Sequence, residues 1–167
     1  SFLGINAGDP LKIKVKTAAL LDKTPRDEIR KKPLDQKPYW HVERSRIGNS
    51  RNVPVELIVN GQSVARREVP ADGSIKDVSF DYKLTKSSWV AVRIFPSAHT
   101  NPIFVEVDGE PIRASKRSAE WCLKAVDVCW EAKKGRIRKE EQDAAATAFQ
   151  KARETYQAIL EESFDDR

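Results

Sequence analysis

The chain has 167 residues, with 30 Lys/Arg against 25 Asp/Glu for a net charge of +5. Hydrophobic residues make up 40%, enough for a packed core, so disorder is not the default. The length suits a single domain. No apolar run approaches the ~20 residues of a membrane-spanning helix, and the mild basic excess forms no dense stripe of the kind a nucleic-acid binder carries. Neither nucleic acid nor membrane is therefore expected as a partner. The chain holds no methionine and opens on Ser-Phe-Leu-Gly, which reads as an internal piece of a longer protein.

Leu11 to Lys16 alternates apolar and lysine residues, a half-buried strand that Thr17 to Leu21 extends. Thr24 to Lys37 is polar and carries Pro25 and Pro33, so it reads as a connection with a helical turn around Arg26 to Arg30. Tyr39 to Ile47 follows as a strand candidate. Alternation would put Tyr39, His41 and Glu43 on one face and Trp40 and Val42 on the other. Trp40 is then expected in the core, His41 at the surface or an interface, and Arg44 and Arg46 exposed.

Val53–Val59 and Val64–Val69 flank Asn60-Gly61, a hairpin signal because both residues tolerate positive φ. Arg66 and Arg67 are expected on its exposed face. Asp72-Gly73 marks the next turn, and Ile75 to Leu84 alternates with Val78, Phe80, Tyr82 and Leu84 on one side. Ser87-Ser88 breaks the pattern before Trp89–Phe95, and Ile103–Val107 closes the strand-rich part at the Asp108-Gly109 turn. About seven strands at short, regular spacing predict an immunoglobulin-like antiparallel β-sandwich over residues 1–112. The last strand would be an edge that hands over to the helices.

Residues 113–167 switch to a helical period. Ser115 or Ser118 can cap a helix that runs to Lys134, with Gly135 as a left-handed stop. Trp121, Ala125 and Val128 form one apolar stripe on it; Cys122, Val126, Cys129 and Trp130 form another, so both sides are expected to be packed. A second helix spans Lys139 to Glu162. The expectation is an antiparallel helical hairpin packed on the sandwich as one compact unit, its first helix between the sheet and the second. Cys122 and Cys129 stand seven residues apart on one helix, ~10.5 Å along its axis, too far for a disulfide. They read as small core residues.

Familiar catalytic signatures (GxGxxG, GxxxxGK[ST], HExxH, GxSxG) are absent from the sequence. His41 and His99 are the only histidines, with no acidic cluster beside them, so no cofactor or metal is expected. His99 lies in Pro96-Ser97-Ala98-His99-Thr100-Asn101-Pro102. It can contact a ligand from a loop held by prolines, or hydrogen-bond the backbone to order the turn; the second is the plainer reading. Arg113, Lys116 and Arg117 cluster where the first long helix begins, next to backbone N–H groups, an arrangement that suits an anion or simply three solvated charges. The candidates for ligand or interdomain contact are thus His99, Thr100, Asn101, Arg113, Lys116, Arg117, His41 and Arg93.

Pro38-Tyr39-Trp40-His41-Val42-Glu43-Arg44, Val53-Pro54-Val55-Glu56, Ser88-Trp89-Val90-Ala91-Val92-Arg93, His99 through Val105, and Pro111 through Cys122 together resemble the C-terminal region of bacterial metallohydrolases of the CehA/McbA type, which are similar to PHP-domain phosphoesterases. The resemblance covers roughly Tyr39 to Ile159. It implies a non-catalytic C-terminal accessory domain that packs on an upstream catalytic domain of the same polypeptide and lines its cleft. That family's His-x-His metal motif has no counterpart in this sequence. A periplasmic or secreted parent is also implied. The alternative is an independent binding module for an anionic or carbohydrate ligand.

Overall fold

The computed structural model describes residues 1–94 and 98–164, in two compact units, Ser1–Glu110 and Pro111–Arg167. The expected strand end at Phe95 and the loop residues Pro96 and Ser97 lie outside the described residues. The fold is mainly β with C-terminal helices.

The first unit contains β1 (Phe2–Ile5), β2 (Pro10–Thr17), the one-turn helix α1 (Asp27–Arg30), β3 (Asn52–Val59), β4 (Gln62–Pro70), β5 (Lys76–Lys83), β6 (Ser88–Ile94), β7 (Ala98–His99) and β8 (Ile103–Val107). β2 and β5 pair antiparallel as a two-stranded sheet, and the other six strands form a sheet of order β1-β8-β6-β3-β4 with β7 also on β6. The alternation of β2 does what it predicts: Leu11, Ile13 and Val15 register with Tyr82, Phe80 and Val78, while the intervening lysines face water. Leu11, Val78 and Phe80 from one sheet and Val55, Leu57, Val90, Val92 and Val105 from the other meet in one hydrophobic cluster. Burial of these β-branched and aromatic side chains is the main force holding the unit together.

The Asn60-Gly61 hairpin forms as expected, with φ of 49° and 87°. Asn60 also ties the turn to the neighbouring strand: its backbone N–H donates to Trp89 O (3.0 Å), its Oδ1 accepts from Trp89 N–H (3.0 Å), and its Nδ2 donates to Ser88 Oγ (3.0 Å).

Three strand expectations are corrected. β1 was not foreseen, because its exposed Phe2 and Leu3 give no inward–outward pattern; it pairs parallel with β8, so the large sheet is mixed. With β1 in place, β8 is not an edge. Tyr39 to Ile47 is not a strand: Val42–Ser45 is a 3-10 turn whose first N–H groups need a cap, and His41 Nδ1 accepts from Glu43 N–H at 3.1 Å. Trp40 is consequently not core but 76% exposed, and His41 is half-buried.

Arg46, expected on an exposed face, is buried instead. Its Nε and Nη2 donate to Glu43 Oε1 and Oε2, both at 2.7 Å, its Nη1 donates to Ser50 O and its Nη2 also to Asp22 O. The 3-10 turn folds the two charged residues inward, and each finds enough partners to tolerate burial.

In the second unit, α2 (Lys116–Lys133) is capped by Ser115, whose Oγ accepts from Ser118 N–H at 3.0 Å. α3 (Gln142–Glu162) runs back along it: Trp130 meets Phe149 with ring centroids 5.0 Å apart, Asp127 pairs with Arg153, and Arg113 pairs with Glu162. Gly135 is not a left-handed stop; α2 tightens into a 3-10 turn, Lys134–Arg136, before the extended Ile137. Only one of the two apolar stripes of α2 faces α3. Trp121, expected in the core, is 71% exposed, and Val128 is exposed as well.

Candidate functional site

On the sheet face turned away from the core, register places two rows of side chains. The first is charged. Glu56 stands opposite Arg66 on β4 and Arg93 on β6, and Arg93 stands opposite His99 on β7. Arg93 donates to Glu56 Oε2 through Nη2 (2.7 Å) and Nε (3.0 Å), while Ser63 Oγ donates to Oε1 at 3.1 Å. Arg93, first among these, holds the Glu56 carboxyl below its usual range, against an opposing push from partial burial. Arg66 turns to Glu68, with its Nε 2.7 Å from Oε1.

The second row is aromatic: Phe2, Phe104 and Trp89 lie side by side on β1, β8 and β6. The Phe2 and Phe104 rings are 5.3 Å apart at a tilt of 30°. Along β6 the rows are four residues apart, about 13 Å at strand rise, with Ala91 between them and Ile58 opposite it. The sequence pattern does not show this row, because register across three strands assembles it and Phe2 sits in a strand without inward–outward alternation. Trp89 is half-buried.

The loop beside the charged row is ordered by backbone contacts. Thr100 N–H donates to Val92 O (2.9 Å), and Thr100 Oγ1 accepts from Val92 N–H (3.1 Å). His99 is exposed, its Nδ1 3.0 Å from Thr100 O, and Asn101 is exposed beside it. Ala98 also lines a cleft of about 230 Å³ with Ala18–Leu21, Val42, Ser45, Arg46, Val53 and Ile94. Its walls are apolar except for Ser45 and Arg46, and the Arg46 guanidinium is committed to Glu43 and two carbonyls.

The remaining candidates lie elsewhere. Arg113, Lys116 and Arg117 belong to the helical unit. Arg113 Nε donates to Glu162 Oε2 at 2.6 Å, Lys116 N–H donates to Phe164 O at 2.9 Å, and Ser118 N–H is taken by the Ser115 cap. Much of what an anion would use at this helix start is therefore spent within the unit. His41 serves the 3-10 turn as its cap.

Chemically, the outer face can stack against flat or apolar groups and exchange ion pairs. It presents Glu56 as a pinned carboxylate rather than a proton carrier. Among the described residues, no group of three His, Cys, Asp or Glu side chains is placed to hold a metal ion. No family model matches the chain, and no curated protein or solved structure matches it.

Proposed function

We propose that the chain is a non-catalytic accessory module, an immunoglobulin-like β-sandwich with a helical hairpin, which packs on an upstream catalytic domain of a PHP-like metal-dependent hydrolase. The observation that carries this reading is the pair of rows on the outer sheet face: Arg93 and His99 in register with Glu56, and Phe2, Phe104 and Trp89 beside them. An apolar row beside a row of fixed charges suits a protein contact, since rigid aromatics supply area and ion pairs fix register. The cluster shared by the two sheets supports the sandwich, and the resemblance to the CehA/McbA type supplies the partner. The test is the full-length parent with Arg93→Ala and His99→Ala together. Weakened docking of the module, read as proteolytic release of the two halves, or a changed KM supports the proposal. Unchanged docking and turnover refute it.

A second reading, an independent carbohydrate-binding module, is favoured by the aromatic row alone, because sugar rings stack on aromatic faces. Calorimetric titration of the isolated chain with neutral and acidic oligosaccharides separates the two, since the accessory reading expects no heat.

A further inference from the structure

The connection between β2 and β3 is long, and it is held more firmly than a plain linker needs. Its regular structure is limited to α1 and the 3-10 turn Val42–Ser45. Four arginines clamp this one to main-chain carbonyls or a fixed side chain. Arg44 Nη2 donates to Pro33 O and Gln36 O, both at 2.8 Å; Arg46 donates to Asp22 O and Ser50 O; Arg51 Nε donates to Leu21 O (2.9 Å); and Arg30 Nη1 donates to Asn49 Oδ1 (3.2 Å). Under this clamp, Gln36 N–H closes a turn on Pro33 O at 3.1 Å, with Leu34 at its corner.

What the clamp presents is apolar and basic. Leu34 is 91% exposed, Trp40 is exposed as noted, and Tyr39 packs its ring 6.1 Å from that of Trp40. Lys31, Lys32 and Lys37 flank them around Asp35; Lys31 Nζ also pairs with Asp27 Oδ2 (2.7 Å), and Lys32 Nζ donates to Lys37 O (3.2 Å). Residues 22–50 hold eight Lys/Arg and five Asp/Glu, so this one connection carries +3 of the chain's +5.

We infer that the Leu34–Trp40 tip is an anchor for an anionic lipid surface. Leu34 and the two amphipathic aromatic rings sink to the headgroup boundary, and the lysine ammonium groups, on long apolar stems, meet lipid phosphates. The tilt of 55° between the Tyr39 and Trp40 rings makes no flat sugar platform. Leu34 at a convex turn corner enters a fluid apolar medium without needing a shaped pocket. The expectation from sequence that no membrane partner exists rested on the lack of a spanning segment. Among the described residues no helix is long and apolar enough to cross a membrane, and surface anchoring needs none. The inference is independent of the outer sheet face and of the accessory role proposed above.

The experiment is co-sedimentation of the 167-residue chain with vesicles of phosphatidylcholine alone and of phosphatidylcholine mixed with phosphatidylglycerol, at low and high salt. The expected result is binding to the mixed vesicles that weakens with salt. Leu34→Ser with Trp40→Ser should lower the partition coefficient about tenfold or more, with unchanged circular dichroism and thermal midpoint. Lys31→Gln, Lys32→Gln and Lys37→Gln together should remove the preference for the anionic vesicles. Absence of sedimentation with both vesicles overturns the inference, as does binding that the tip substitutions leave intact. If the chain ignores vesicles and Trp40→Ser instead turns a dimer into a monomer in sedimentation equilibrium, the tip is a protein contact and the lipid anchor is refuted.

Discussion

Glu43 and Arg46 form a two-pronged ion pair whose side chains are 1% and 0% exposed. Glu43 Oε1 also accepts from Arg26 N–H at 2.9 Å, so one carboxylate joins the start of α1, the 3-10 turn and, through Arg46, both ends of the connection. Losing one partner leaves the other charged and buried. Arg46→Ala is expected to lower stability by about 3–5 kcal/mol, measured by urea unfolding followed by near-ultraviolet dichroism. Arg44→Ala, which frees carbonyls closer to water, should cost about 1–2 kcal/mol. A smaller loss from Arg46→Ala than from Arg44→Ala would show that the buried pair does not hold the connection.

The same pair sets a pH dependence. The Arg46 guanidinium, opposed by burial and helped by the Arg26 N–H, holds the Glu43 carboxyl below its usual range; Arg93 does the same for Glu56. Both folded-state values therefore lie below the unfolded ones, and the unfolded chain binds more protons as the pH falls. Their stabilisation is complete above the ordinary carboxylate range, roughly pH 4.3, and is lost as the pH drops through the depressed values. Thermal midpoints between pH 6 and pH 3 (~3 units spanning that range) should fall on the acid side, and Glu43→Gln should flatten the slope. A midpoint that rises on acidification would contradict this sign.

Asn60 combines a left-handed backbone with two side-chain hydrogen bonds to the start of β6. Asn60→Ala retains neither the tolerance for positive φ nor the acceptor for Trp89 N–H. A loss of about 1–3 kcal/mol is expected, and Asn60→Asp should recover part of it by restoring the acceptor. Equal losses in the two variants would assign the effect to the Nδ2 bond to Ser88, which neither retains.

Where strands bury one face, the sequence states the structure openly: β2 and β5 follow from alternation, and the β3–β4 hairpin from Asn60-Gly61. Where long-range pairing decides, it does not. β1 is four residues of which only Ile5 packs on the core, and its order comes from main-chain bonds to β8, which lies about a hundred residues away in sequence. Tyr39 to Ile47 alternates in letters, yet Glu43 and Arg46 gain more by meeting each other three residues apart than by facing water from a strand. The charged row of the candidate site was half legible, because Arg93 and His99 could be named while Glu56, which joins them, is a partner only through register. Trp121 and Trp130 occupied equivalent apolar stripes in the sequence, and nothing local distinguishes the one that meets Phe149.

Ser87 shows how much a small buried hydroxyl can hold. Its Oγ accepts from Val107 N–H at 2.8 Å and donates to Glu110 O at 2.6 Å, so it closes the end of β8 against the residues before β6. Ser87→Ala removes both bonds and leaves the Val107 N–H buried without a partner. A cost of about 1–3 kcal/mol is expected, with faster amide exchange at Val107 than at Val105. Ser87→Cys, which keeps only a weak donor and acceptor, should fall between the two.

The two tryptophans of α2 give the last test. Trp130 is half-buried and stacked with Phe149, while Trp121 lies open. Trp130→Ala should destabilise the helical hairpin by about 2–3 kcal/mol, at the low end for a large aromatic because the site is only partly enclosed. Trp121→Gln should stay within about 0.5 kcal/mol, as exposed substitutions do. Helical dichroism followed through thermal unfolding reads both. Comparable losses would mean that the stripe carrying Trp121 and Val128 is covered in solution.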